Sequence, residues 1–160
     1  MDIRRPLHAD YSPLQPAFGQ KDAVYYHEEK PHVLLQPYIW CYWELKTISA
    51  LPEDYRYSVV ADGCTDIFFS PDDLADATVA GFNPSHTEFV LGRQFRYLGV
   101  RFLPGMFTRL SGVAASELSQ TVVLMSDVQP ELSKRIAAGL NSDTDLPGIT
   151  ALFNDYFLRQ

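Results

Sequence analysis

Asp66 and Arg101 are the residues whose chemistry stands out, because each lies within a run of apolar residues that is typical of a strand. A strand interior normally excludes charge, and a buried charge requires a partner. The sequence therefore predicts a buried ion pair between the two side chains. The alternative is that one of them faces a ligand cavity, where Arg101 would suit a carboxylate or a phosphate group.

Aromatic residues make up 13% of the chain, and many of them fall on the same predicted strands. Rings of this kind line ligand cavities that carry few polar anchors. They also fill densely packed cores, so both uses stay open at this point. The rings are Trp40, Tyr42, Trp43, Phe68, Phe69, Phe95, Tyr97 and Phe102.

Short motifs that mark nucleotide-binding, zinc-protease and serine-hydrolase sites do not occur in the sequence. We therefore predict no cofactor and no enzymatic activity. Cys41 and Cys64 lack the spacing of a zinc site or a disulfide framework. Both cysteines are expected to be reduced and packed.

A cupin-type metal site needs two closely spaced histidines, a carboxylate and a distant third histidine on strands of a barrel. His27 and His32 stand five positions apart across Pro31 and do not form such a pair. We therefore expect surface histidines and no bound metal; a small metal-dependent enzyme of cupin type is the alternative. The residues available for that site are His27, Glu28, His32, His86 and Glu88.

The composition predicts one globular domain, since the 160 residues are 46% hydrophobic and 21% charged. The formal net charge is −7. An acidic chain lacks the positive field from which nucleic-acid-binding proteins draw their general affinity, so we expect no direct DNA contact by these residues. No apolar run suits a secretory signal or a membrane helix, which predicts a cytoplasmic protein with no membrane partner.

The predicted fold is mainly β with C-terminal α, an α+β protein. Residues 1–20 hold three prolines and are predicted to form an extended or disordered arm. Residues 21–103 contain five or six short β-type runs, which predict a cupin-like β-barrel or a sandwich. Residues 104–160 are predicted to be helical.

Within the β part, the sequence predicts one strand with assigned faces and one hairpin. The run Val33 to Ile48 predicts a strand with Ile39, Cys41, Trp43 and Leu45 together on one face. Residues 55–69 are predicted to form a hairpin, because Asp62-Gly63 separates two apolar stretches.

In the helical part, Met106 begins a short helix that Gly112 can end, and a second helix is predicted over 127–140 with Pro130 in its first turn. A third helix over 149–158 carries an apolar stripe. The stripe predicts either a dimer interface or packing against the chain's own β part. It consists of Leu152, Phe153, Tyr156 and Phe157.

Four ordered blocks resemble the N-terminal domain of one branch of AraC-type bacterial transcription regulators. They are Tyr42–Leu45, Asp62–Phe69, Gly99–Gly105, and Leu110–Val113 with Glu117-Leu118. The resemblance covers residues 24–158. The motif residues within the blocks are Asp62, Gly63, Cys64, Gly99, Pro104 and Gly105.

The resemblance implies a β-barrel sensor and dimerisation domain, followed in such regulators by a part with two helix-turn-helix motifs. Neither the 127–140 helix nor the 149–158 helix has the chemistry of a recognition helix. We therefore expect a homodimer that reaches DNA only through a C-terminal domain beyond these residues. An unidentified small-molecule effector is predicted to bind in the barrel interior near Trp43, Asp66, Tyr97 and Arg101. A stand-alone ligand-binding protein is the alternative.

Overall fold

The protein is described by a computed structural model that covers residues 23–59, 62–81, 87–118 and 122–160. The predicted arm over 1–20 lies outside these ranges. Eight strands are described: β1 (Val24–Glu29), β2 (Ile39–Thr47), β3 (Arg56–Val59), β4 (Thr65–Ser70), β5 (Asp73–Ala80), β6 (Thr87–Val90), β7 (Arg96–Phe102) and β8 (Val122–Leu124). The helices are α1 (Met106–Ser111), α2 (Met125–Val128), α3 (Pro130–Gly139) and α4 (Leu146–Phe157), with a 3₁₀ turn over Ala115–Glu117.

Six strands form one antiparallel sheet in the order β1-β2-β7-β4-β5-β8. The predicted class, mainly β with C-terminal helices, is confirmed. Of the two predicted architectures, the layered one describes the molecule, because the sheet is open and β1 and β8 lie at its opposite edges. β8 also brings the chain back into the sheet beside β5, within the segment that the sequence predicts to be helical.

β3 and β6 pair separately and form a two-stranded sheet, here called the cover sheet. It continues the β2–β7 ladder through the connecting segments. The backbone amide of Thr47 donates to the carbonyl of Phe95 over 3.0 Å, and that of Leu51 donates to the carbonyl of Arg93 over 2.8 Å. Because side chains of β2 and β3 share one apolar cluster, this continuation folds back over the larger sheet.

The predicted hairpin over 55–69 is wrong. β3 pairs with β6, whereas β4 pairs with β5 and β7. The Asp-Gly step still makes a turn: Gly63 has a φ of 77°, and the Asp62 carboxylate accepts a hydrogen bond from the Cys64 amide over 3.0 Å. The turn sets the local chain direction, but strand partners are decided by distant residues, and here the chain passes from one sheet to the other.

The predicted strand from Val33 begins only at Ile39, because residues 33–38 form turns in which the Ile39 amide donates to the Leu35 carbonyl. Ile39 also faces the opposite side from the one predicted. The β2–β7 register shifts between Ile39 and Cys41, as in a β-bulge. One extra residue reverses the alternation, so Ile39 shares a core with Tyr42 and not with Cys41.

The six-stranded sheet has two buried faces. One face packs against the helices through a core that includes Ile67, Val100 and Phe102 from the sheet and Ile136 and Phe153 from the helices. The other face packs under the cover sheet in a smaller cluster around Cys41, Trp43, Leu45, Leu51 and Phe95. Alternate residues of β4 and β7 therefore reach different environments.

The helices begin and end close to their predicted positions. α1 ends at Gly112, whose φ is 74°. The predicted 127–140 helix is divided at Gln129, and α3 begins at Pro130. α4 begins three residues earlier than predicted, because the Asp145 carboxylate accepts a hydrogen bond from the Gly148 amide over 3.0 Å and caps the helix. No helix in the described ranges is long and apolar enough to cross a bilayer.

The apolar stripe of α4 lies against the chain's own sheet. Phe153 is fully buried, Phe157 is 4% exposed and Tyr156 is 9% exposed. Leu152 is half-buried against the same core. Of the two uses that the sequence left open, the structure shows packing within one chain. The homodimer, and the interface predicted on Leu152, Phe153, Tyr156 and Phe157, stay predictions.

Candidate functional site

A cavity lies between the six-stranded sheet and the cover sheet. All four residues predicted to bind a ligand line it: Trp43 on β2, Asp66 on β4, and Tyr97 and Arg101 on β7. Their ligand-binding role stays a prediction. The remaining lining residues are apolar or aromatic and come from both layers: Leu45, Tyr57, Val59, Phe68, Ala80, Phe89 and Leu91.

Asp66 and Arg101 are direct cross-strand partners on β4 and β7. The Arg101 Nε donates to Oδ1 and Oδ2 of Asp66 over 3.1 and 3.2 Å, and Nη2 donates to Oδ2 over 3.0 Å. The indole N–H of Trp43 donates to Oδ1 over 3.1 Å. Asp66 thus accepts bonds from a guanidinium and an indole, as a buried carboxylate requires.

A second carboxylate approaches Arg101 from the turn that precedes β4. Oδ2 of Asp62 lies 3.7 Å from Nη1, which is ion-pair distance but longer than a hydrogen bond. Burial lowers the pKa of Arg101, but the negative charges of Asp66 and Asp62 raise it by a larger amount, so the net shift is upward. The guanidinium therefore keeps its charge although only 4% of the residue is exposed.

The predicted ion pair is confirmed by these contacts, and the same pair lines the cavity. The sequence left two alternatives, a buried ion pair or a charged residue that faces a cavity, and the structure has both features at Asp66 and Arg101. Asp66 occupies Nε and Nη2 of Arg101, and Nη1 is left without a hydrogen-bond partner in the described part of the chain. Binding of an anion by Arg101 stays a prediction.

Aromatic rings form the walls of the cavity. Phe68 meets Phe89 and Tyr97 edge to face, with ring centroids 6.0 and 6.2 Å apart. On the cover sheet, burial and then the Asp66 carboxylate raise the pKa of Tyr57, while Arg101 opposes them. The Tyr57 hydroxyl stays protonated at neutral pH and remains a donor.

The cavity volume is about 60 Å³, and the cavity is partly open. An engineered cavity that binds benzene has a volume of about 150 Å³. A ring-sized ligand would therefore extend through the opening or displace the cover sheet outward. Among the described strands, the cover sheet is hydrogen-bonded to the large sheet only through the connecting segments.

Gly99 is the motif residue with the clearest structural reason. It lies opposite Trp43 in the β2–β7 ladder, and a Cβ at this position would overlap Cε2 and Cζ2 of the indole. Only glycine lets the ring lie flat over β7, where its N–H reaches Asp66. Two other motif residues have ordinary roles: Cys64 is buried, and Gly105, with a φ of 73°, precedes α1.

Comparison with protein-family models finds a match to DUF6597, described as a domain of unknown function, over residues 27–124. The chain belongs to the DUF6597 family. The match contains every residue that lines the cavity, and it ends before α3 and α4. No curated protein and no solved structure matches the chain. The family description assigns no activity, so the resemblance to AraC-type regulators stays a prediction.

Among the residues considered for a metal site, those that the structure describes form no metal-binding group. His27 and His32 are exposed, and Glu88 forms an ion pair with Arg56 over 2.7 Å. His86 lies outside the described residues. Within the described ranges there is no group of three or more histidine, cysteine, aspartate or glutamate side chains suited to a metal ion.

Sequence reasoning missed the half of the site that the cover sheet supplies. Tyr57 and Val59 on β3 line the cavity, as do Phe89 and Leu91 on and after β6. A signal was present, because these residues alternate with polar or exposed ones such as Glu88. The predicted hairpin concealed it, since pairing β3 with β4 leaves no second layer over the large sheet.

Arg101→Met is expected to lower the free energy of unfolding by about 3–5 kcal/mol, because it leaves the Asp66 carboxylate buried without its cation. Urea denaturation measures the loss. The matched control is Arg56→Met, which removes the cation of an exposed pair and should change stability little. The double variant Asp66→Leu/Arg101→Met should recover part of the loss. If Arg101→Met were as stable as Arg56→Met, this account of the buried pair would be wrong.

Gly99→Ala is expected to destabilise the fold by about 1–3 kcal/mol, because the added methyl group clashes with the Trp43 indole and with the backbone carbonyl oxygen of Ile67. The same substitution in a Trp43→Phe background should cost less, since the smaller ring relieves the clash with the indole and leaves only the clash with the Ile67 carbonyl oxygen. A double-mutant cycle in urea gives the coupling energy. Additive losses would show that the glycine is required for some other reason.

Proposed function

We propose that this DUF6597 domain binds a small effector in the cavity under its cover sheet and is the regulatory half of an AraC-type transcription regulator. The observation that carries the proposal is the cavity itself. Aromatic and aliphatic side chains from two layers line it, and the buried Asp66–Arg101 ion pair lies in its wall. Concave apolar sites with a few placed polar groups are the usual form of small-molecule sites.

The residues that carry the family resemblance also support the proposal. Three of the four blocks contribute a cavity residue, namely Trp43, Asp66 with Phe68, and Arg101. The ion pair and the Trp43 bond join these three blocks to one another. The blocks therefore share a site in addition to a fold.

DNA binding is assigned to a part of the regulator outside these residues. The chain is acidic, and the apolar faces of α3 and α4 are buried against the sheet. A recognition helix instead presents polar and basic residues to the major groove. As a DNA-associated regulator, the protein would act in the cytoplasm.

A route from the cavity to the helices runs through the opposite faces of β2 and β7. Glu44 and Arg96, the chain neighbours of Trp43 and Tyr97, pair over 2.9 Å. Arg96 also donates to the carbonyls of Ser142 and Thr144 over 2.9 and 2.7 Å, just before α4. A ligand that moved β2 against β7 would act on this network, provided that it bound one arrangement better than the other.

Binding in the cavity is tested with toluene as an apolar probe. Toluene is expected to shift the Trp43 indole N–H resonance saturably, and Leu91→Trp should abolish the shift because its side chain fills the cavity. Val90→Trp is the matched control, since Val90 is 58% exposed on the same segment. Circular dichroism checks that both variants fold. A shift that survives in Leu91→Trp would place the probe elsewhere.

The regulator assignment is tested by reading the gene beyond codon 160. An open frame that encodes a basic region with two helix-turn-helix patterns would support it. A stop codon directly after codon 160 would contradict it and favour a stand-alone binding protein.

A further inference from the structure

We infer that the cavity selects an uncharged ligand, a compact and mainly apolar molecule with one hydroxyl or amide group, and rejects carboxylates, phosphates and ammonium ions. The inference rests on the proposed function, because it names the ligand class of the same site. Its first support is the state of Arg101, the one cation that lines the cavity within the described residues.

Of the three guanidinium nitrogens of Arg101, only Nη1 is without a hydrogen-bond partner among the described residues. Nε and Nη2 are bonded to Asp66, and Nη1 lies 3.7 Å from a carboxylate oxygen of Asp62. An anionic ligand would have to displace Asp66 or lie beside two carboxylates. Displacement would leave Asp66 buried with only the Trp43 N–H, which a buried charge does not tolerate.

The same contacts exclude a cation. Oδ1 of Asp66 accepts from Trp43 and from Arg101, and Oδ2 accepts from Arg101 twice. A ligand ammonium group would compete with a guanidinium that is already bound through two nitrogens and held on the next strand. The pair therefore neutralises itself, and the remaining wall is apolar or aromatic.

The Tyr57 hydroxyl gives the ligand a polar partner. Tyr57 lies on the cover sheet, lines the cavity and is close enough to Asp66 and Arg101 for their charges to act on it. In the described part of the chain, no group forms a hydrogen bond with this hydroxyl. A phenol group can donate to a ligand carbonyl or accept from a ligand hydroxyl.

Charge selection is tested with benzyl alcohol, benzoate and benzylamine, which share a ring and differ in charge at pH 7. Dissociation constants are measured from the Trp43 indole N–H resonance of the whole chain. Benzyl alcohol is expected to bind at least about tenfold more tightly than either ion, because an ion loses its hydration without gaining a partner.

The polar contact is tested with Tyr57→Phe. The affinity for benzyl alcohol should fall by about 2- to 10-fold, the usual range for one net hydrogen bond, while that for toluene stays the same. Tyr55→Phe is the matched control, since the Tyr55 ring packs at a tilt against Phe95 and Tyr55 does not line the cavity. An unchanged affinity for benzyl alcohol in Tyr57→Phe would overturn the assigned contact.

The outcomes separate this inference from the proposed function. Tightest binding of benzoate or benzylamine would overturn the uncharged ligand class and leave the cavity as a binding site. If none of the three compounds nor toluene shifts the Trp43 resonance of the folded protein, both the ligand class and the binding function are wrong.

Discussion

The Asp66–Arg101 pair joins the two central strands of the sheet on the face that the cover sheet buries. Burying two charges costs solvation, and the pair is tolerated because Asp66 also accepts from Trp43 and because Asp62 lies near the far side of the guanidinium. Its structural value lies in register: a slip of one residue between β4 and β7 would turn a charge toward the helix-side core. The position of Trp43, and with it the shape of the cavity, depends on this pair and on the absence of a side chain at Gly99.

Because side chains alternate along each strand, one face of the six-stranded sheet packs on the helices and the other lines the cavity. On β7, Leu98, Val100 and Phe102 are fully buried against the helices, whereas Tyr97 and Arg101 line the cavity. The helix side is a continuous aromatic and aliphatic core, which is the usual source of a domain's stability. The cover side is a thinner layer, since two short strands add little stability of their own. The proposed ligand would therefore bind on the cover side, away from the main core.

The DUF6597 match and the cavity concern the same part of the chain, residues 27–124, whereas α3 and α4 lie beyond it. Both helices pack on the sheet, and α4 is also held by polar contacts. Asn154 accepts from the Tyr42 hydroxyl over 2.9 Å and from the His32 amide over 3.1 Å. Contacts of this kind fix α4 across β2, so a change at the β2–β7 ladder would reach α4 directly.

The sequence by itself determined what depends on neighbouring residues: the mainly β class, the turn at Asp62-Gly63, the end of α1 at Gly112, and the two charges on strands that required a partner. Only the tertiary structure decided which strands pair, because β3 meets β6 across about thirty residues of chain and no local preference encodes that choice. It also decided that a bulge turns Ile39 to the helix side and that the α4 stripe faces its own sheet. For the site, residue types indicated Trp43, Asp66, Tyr97 and Arg101. Packing alone decided that the cover sheet lies over the cavity and that Arg101 donates its hydrogen bonds to Asp66.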